Sequence, residues 1–223
     1  MYDWDWNVVL DYKEVFFAGA LTTIWLTLFV VVIGTLLGLI LGLARRSSIL
    51  LLPQIARVYV ATFRALPILI LLIWIYYVVP MVFHIQLSPF YAALLALSIN
   101  LSAYVAETVR AGIEAIPKNQ FDSGITLGLN RTQVMFYIIL PQAFRSMLPN
   151  LLSLYITQLK NSSLASVIGM NELLHRSNLV ISNTYRPLEV YTAVAAIYLA
   201  IIIPVTCLAG QWEKRLARKT KNT

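Results

Sequence analysis

Little in this 223-residue sequence is suited to aqueous chemistry. One cysteine, Cys207, excludes an internal disulfide framework and a cysteine-based metal site. It lies in an apolar run and is expected to be a small packing hydrophobe. Two isolated histidines, His84 and His175, have no neighbouring ligands and offer no zinc geometry. Charged residues make up only 12% of the chain, about half the roughly 25% usual in soluble domains. No Gly-x-x-x-x-Gly-Lys-Ser/Thr text occurs, so the chain does not hold nucleotide by that route. What fills the space is apolar: 59% of residues are hydrophobic, and mean hydropathy is +0.75. A soluble chain this size has too little interior to bury so much apolar surface. An all-α integral membrane protein is expected. Soluble enzyme, secreted scaffold, disordered chain and DNA-binding module are set aside.

Charges delimit the spans. Thirty uncharged residues run from Val15 to Ala44, where a crossing needs about 20 at 1.5 Å rise each. Forty-two lie between Arg64 and Glu107, too many for one helix. Pro80 and Pro89 bracket a polar interruption there, predicting two spans, about 58–79 and 89–111. A fourth, about 147–167, is less apolar and holds Lys160; a fifth covers about 190–212. The organisation is then a short N-terminal segment 1–14, a membrane domain 15–212 and a basic tail 213–223. With the N-terminus outside and the C-terminus inside, thirteen of the seventeen Lys and Arg border inside segments, as the positive-inside rule requires. The net charge of +7 is therefore topology, not a nucleic-acid footprint. The acidic start, Met-Tyr-Asp-Trp-Asp-Trp, is unlike a cleaved signal, and Trp4 and Trp6 suit interface anchors.

The longest inside segment, about 112–145, predicts two short helices joined at a glycine. Pro117 ends the preceding helix, Asn119 caps a new one, Leu127-Gly128-Leu129 stops it, and Pro141 closes the second. Phe121, Ile125, Leu127 and Leu129 give the first piece apolar surface. It serves either as a docking site or as packing against the chain's own helix ends.

These residues carry a resemblance. Asp122-Ser123-Gly124-Ile125-Thr126-Leu127-Gly128, followed by Ile138-Ile139-Leu140-Pro141, resembles the cytoplasmic EAA loop of bacterial ABC-transporter permeases. That pattern reads E-A-A-x-x-x-G with a downstream I-x-L-P; here Asp replaces Glu, and Ser-Gly replaces Ala-Ala. Phe63-Arg64-Ala65-Leu66-Pro67, Ala103 to Gly112, Leu140 to Arg145 and Leu159-Lys160-Asn161-Ser162-Ser163-Leu164 are similar to the polar amino-acid permeases of the His/Glu/Gln/Arg/opine type. The likeness covers about residues 15–212.

The resemblance implies a type I ABC importer permease (MetI-like) fold, with about five transmembrane helices and a short coupling helix. It implies a bacterial inner-membrane subunit that is no enzyme and binds no cofactor itself, with ATP held by two copies of a cytoplasmic ATP-binding subunit. A second permease subunit, the same or homologous, and a periplasmic or lipid-anchored amino-acid-binding protein complete the implied assembly. Asp122, Ser123, Gly124, Leu127, Gly128 and Pro141 are the implied ATPase-coupling residues.

Polar residues inside spans are candidates for the substrate path. Glu107 and Arg110, three apart on one helix face, either serve that path or pair with each other. Lys160, Asn161, Ser162 and Ser163 form the densest polar cluster in any span. Relatives often carry Asp where Asn161 stands, so the neutral amide leans the reading toward glutamate, aspartate or neutral amino acids. The segment Gly169 to Pro187 suits either contact with an external binding protein or a plain solvated loop. The competing reading is a secondary carrier or channel without an ATPase; it needs internal repeats or matching broken helices, and none is evident.

Overall fold

A computed structural model describes residues 2–47 and 49–221, with side chains through Trp212. The expected basic tail 213–223 thus lies outside the described side chains. Among the described residues the secondary structure is helical throughout. After a short turn at Asn7–Asp11 come α1 (Lys13–Ala44), α2 (Leu52–Ala65), α3 (Ile68–Phe83), α4 (Pro89–Glu114) and α5 (Lys118–Thr126). Then follow α6 (131–161), a tight 3-10 turn (Ser162–Ile168), α7 (Leu173–Thr184) and α8 (Pro187–Lys221).

Among the described residues three single helices are long and apolar enough to cross a membrane, α1, α4 and the Pro187–Trp212 part of α8, with hydropathies of 2.7, 1.5 and 2.3, and the bent pair α2–α3 qualifies as a fourth if taken as one span. Burial explains the ranking. In α4 72% of the apolar window is covered by protein, against 28% in α1 and 17% in α8, so α4 tolerates Ser and Asn where α8 does not. Cys207, expected to be packed, is exposed on α8.

The span expected at 58–79 is not one helix. α2 and α3 meet at a 106° bend, because Pro67 has no N–H to donate and adopts ψ 129°, outside the helical range. Pro80, expected to end the span, is instead carried within α3. The Val79 N–H bonds back five residues to the Trp74 carbonyl, and this wider π-turn, Trp74–Val78, absorbs the proline. The same device corrects the reading of Pro141. The π-turn Met135–Ile139, with Leu140 N–H on the Met135 carbonyl, lets α6 run on through the proline. The span expected at 147–167 falls on the second half of α6 and the following 3-10 turn. It is long enough to cross, but not among the helices apolar enough by composition.

The chain divides into two compact units whose boundaries fall inside α1, α4, α6 and α8 and between α2 and α3. The first comprises residues 2–32, 66–98 and 155–208. Its core is Phe16, Leu173, Val180, Val190 and Val194, with Val8, Val9 and Tyr12 packed against it. The segment from Gly169 to Pro187, read from sequence as either a contact for an external binding protein or a solvated loop, is largely α7, which buries Leu173, Ser177 and Val180. Glu172 caps α7, accepting from the Leu174 and His175 N–H groups at 2.9 and 2.7 Å. Tyr198 donates to the same carboxylate at 3.1 Å, and burial pushes the Glu172 carboxyl up. Glu189, wholly buried, ties down the N-terminus by accepting from Tyr2 Oη at 2.6 Å and the Asp5 N–H at 3.0 Å. Trp4 and Trp6 stack on each other beside it.

The second unit comprises residues 33–65, 99–154 and 209–221. Gly34, Gly38 and Gly42 form an i, i+4 stripe along α1. A Cβ at each would lie 2.9, 2.5 and 2.7 Å from the Cβ atoms of Leu101, Val105 and Val109 on α4. Close backbone approach of this kind is how helices associate where lipid supplies no hydrophobic drive. It also delivers Arg45, just past the end of α1, to Glu107 on α4.

Candidate functional site

Of the expected coupling residues, Asp122, Ser123, Leu127 and Gly128 form an exposed corner, Gly124 is buried beneath it, and Pro141 lies on α6. α5 begins after Pro117, which stands at the N-cap position without a side-chain bond; Asn119, expected as the cap, lies inside the helix. The helix ends as the sequence predicts. Gly128 adopts φ +83°, a region costly to residues with a Cβ. Its N–H bonds the Ile125 carbonyl at 2.9 Å, and the Leu129 N–H bonds the Gly124 carbonyl at 3.2 Å. This is a Schellman motif. It leaves Leu127 78% exposed and Ile125 42% exposed, while Phe121 and Leu129 are half-buried. Part of the apolar face therefore packs on the chain itself, and its tip does not.

Gly124 fixes how α5 sits. It is buried, and a Cβ there would lie 2.7 Å from Val134 and 2.9 Å from Ile138 of α6. Asn130 starts α6 through a reciprocal capping box with Gln133, both bonds 2.9 Å. Asp122, Ser123 and Pro141 are exposed. Asp122 contributes only its carbonyl locally, accepting from Thr126 Oγ1 at 3.0 Å.

Glu107 sits in a larger ionic cluster than its spacing from Arg110 suggests. Its carboxylate meets Arg110 at 2.5 Å, Arg45 at 2.5 Å and Arg64 at 3.5 Å. Arg110 reaches Glu114 as well, and the Arg64 guanidinium lies over the Tyr104 ring, 5.5 Å from its centroid. One carboxylate thus joins the end of α1, the end of α2 and the body of α4. Sequence reasoning missed Arg45 and Arg64 as its partners. Both are the first charges after long apolar runs, a signal that marks a membrane boundary without naming a partner.

The cluster at 160–163 is only partly assembled into a polar face. Lys160 is exposed and Asn161 half-buried. The Ser162 and Ser163 hydroxyls donate to the Leu159 and Lys160 carbonyls at 2.7 and 2.8 Å, so both protons are spent on their own turn, while Ser163 also meets the Tyr198 hydroxyl. Asn161 Nδ2 donates to Gln158 Oε1 at 3.1 Å, and Gln158 Nε2 donates to the Leu97 carbonyl at 3.2 Å. Gln158 and Ser98 were not foreseen as candidates. Gln158 is 3% exposed, and the buried Ser98 Oγ has no partner among the described residues. A glutamine inside an apolar span was the available signal for the first. Among the described residues no group of His, Cys, Asp or Glu suits a metal ion.

Comparison with known proteins bears directly on this arrangement. A family model described as binding-protein-dependent transport system inner membrane component matches residues 34–218. The glutamine transport system permease protein GlnP of Escherichia coli (strain K12) is 33% identical, covering 95% of this chain and 97% of its own. The L-cystine transport system permease protein TcyB of Bacillus subtilis (strain 168) is 35% identical, covering 96% and 92%. The arginine ABC transporter permease protein ArtQ of Haemophilus influenzae is 34% identical, covering 86% and 89%. A solved chain of an amino acid ABC transporter with histidines superposes with a TM-score of 0.91 at 36% identity, covering 96% of this chain and all of that one. The MetNI methionine ABC transporter, inward-facing, shares the fold at 18% identity, with a TM-score of 0.74 over 92% of this chain and 98% of its own. The expected MetI-like, all-helical permease fold is thereby met, and the relatives are transport subunits, not enzymes. With its glycine-terminated corner helix and a likeness running almost end to end, the chain belongs to the inner membrane components of binding-protein-dependent transport systems, among the amino-acid permeases.

Proposed function

We propose that this chain is the membrane-spanning subunit of an ATP-driven importer, moving a polar amino acid inward across the inner membrane by alternating access. The observation that carries the reading is the corner at 118–128. An apolar tip, Leu127, stands 78% exposed beside a left-handed glycine, on a chain whose relatives are named as ABC permeases. An exposed apolar tip set among polar residues calls for a partner. Asp122, Ser123, Leu127 and Gly128 dock against a cytoplasmic ATP-binding subunit, one of two copies; Gly124 couples by seating α5 on α6, and the π-turn before Pro141 passes the movement along α6. ATP stays on that subunit. A second permease, the same or homologous, completes the path, and an external binding protein delivers the amino acid. The N-terminus lies outside and the C-terminus inside, as the distribution of Lys and Arg favours.

Lys160, Asn161, Ser162 and Ser163 are assigned to the substrate path, as are Glu107 and Arg110. Asn161 offers an uncharged donor and acceptor, so the pore favours glutamate, aspartate or neutral relatives over cations. Relatives named for glutamine and cystine fit that leaning; the one named for arginine does not. The test is Leu127→Glu and Gly128→Leu in the whole transporter. Both variants insert in the membrane, but lose most ATP-coupled amino-acid uptake and fail to retain the ATP-binding subunit on purification. Full uptake by both variants refutes the docking assignment.

A further inference from the structure

The geometry points to a binding site for the head group of an anionic phospholipid, with Arg46 and Lys118 as its phosphate partners. It is independent of which amino acid the transporter carries. The sequence supplies the placement. α1 is the most apolar of the three helices long enough to cross among the described residues, and its uncharged run ends at Ala44. The first charges after such a run sit at head-group depth. Ile49, Leu50 and Leu51 follow, all at least 65% exposed, an apolar run suited to the same interface.

The tertiary structure then separates two adjacent arginines. Arg45 turns to Glu107 at 2.5 Å, while Arg46 enters no ion pair among the described residues. Lys118, the first residue of α5, is likewise unpaired and exposed. Both line one cavity of about 300 Å³, together with Ile116, Phe121 and Ile139. At about 30 Å³ per water molecule this is room for about ten, enough for a phosphodiester and its glycerol. The one carboxylate in the lining, Asp122, leaves the cavity with a net positive charge. A free phosphate would satisfy the cations and leave the isoleucine and phenylalanine wall wet. A neutral acyl chain would cover the wall and leave that net positive charge unanswered. An anionic phospholipid does both, because its phosphate and its first methylenes are joined, and basic pockets at helix ends are the usual sites for such head groups.

The test uses the purified transporter, permease with its ATP-binding subunits, stripped of lipid and offered dioleoyl-phosphatidylglycerol or dioleoyl-phosphatidylcholine. Bound lipid is counted by native mass spectrometry. The wild type and the control Arg57→Gln, whose side chain bonds its own helix at the Pro53 carbonyl, retain phosphatidylglycerol over phosphatidylcholine. Each cation near an anionic lipid contributes about fivefold, so Arg46→Gln with Lys118→Gln weakens phosphatidylglycerol binding by about thirtyfold and leaves phosphatidylcholine unchanged. Arg46→Lys with Lys118→Arg restores it. Equal retention by the glutamine variant overturns the proposal. So does complete displacement of the lipid by inorganic phosphate, which assigns the site to a free anion. Binding to the isolated permease that vanishes in the complete transporter also overturns it, since the cavity then belongs to the ATP-binding subunit.

Discussion

Replacing Glu107 with glutamine removes the one carboxylate shared by Arg45, Arg64 and Arg110 and leaves three guanidinium groups facing one another. The side chains of Glu107 and Arg45 are 22% and 14% exposed, so the cluster is neither a surface pair nor a dry one. Exposed pairs contribute about 0–1 kcal/mol, and breaking a fully buried pair costs about 3–5 kcal/mol. An intermediate loss of roughly 1–3 kcal/mol follows from the partial burial. For a chain of 150–250 residues each kcal/mol moves Tm by about 2–4 °C, so Glu107→Gln lowers the apparent melting temperature by roughly 2–12 °C. Tryptophan fluorescence of the purified transporter in detergent reads this directly. The decisive measurement is the double-mutant cycle with Arg45→Gln. If the carboxylate joins α1 to α4, the paired variant is less destabilised than the sum of the singles, by about 1 kcal/mol or more. Strict additivity refutes the shared-carboxylate reading, whatever the size of the single effects.

Gly38→Val places a Cβ 2.5 Å from Val105; overpacking of this order costs about 1–3 kcal/mol. It should lower the yield of folded permease on size-exclusion chromatography more than Gly210→Val, whose Cβ would meet open space. The Glu172 carboxyl is pushed up by burial, so the folded state holds its proton more tightly than the unfolded one. That contribution is complete below the ordinary carboxylate value of about 4.3 and fades as pH rises through the raised one. Wild type should therefore gain stability over Glu172→Gln as pH falls from neutral toward that value, and parallel melting curves for the two would count against it. Asn161→Asp should strengthen competition by arginine and weaken competition by glutamate in reconstituted vesicles; unchanged preferences would remove Asn161 from specificity.

Much of the architecture was legible in one dimension because lipid imposes one-dimensional rules. A helix must be long and largely uncharged to cross, so α1 could be drawn from the gap between Glu14 and Arg45, and the forty-two uncharged residues between Arg64 and Glu107 read as more than one helix. The Gly128 stop was equally local, since a left-handed turn can be closed by backbone bonds to residues three and five positions back. Proline was the weak signal. Pro67 breaks its helix, but Pro80 and Pro141 do not, because a π-turn before each takes up the missing bond. That choice depends on packing around the turn.

The sequence by itself determined that the chain lives in a membrane, that it carries an apolar corner where a short helix stops at Gly128, and which residues mark that corner. Those are consequences of composition and of contacts within a few residues. Tertiary structure alone decided the rest. It brought Arg45 and Arg64 to Glu107 across 62 and 43 positions. It turned Ser162 and Ser163 onto their own backbone, and it left Arg46 without an ion pair among the described residues, beside a cavity, while its neighbour was consumed. The physical reason is common to all three: a charge or a hydroxyl takes whichever partner the fold delivers, and residue type alone does not say which.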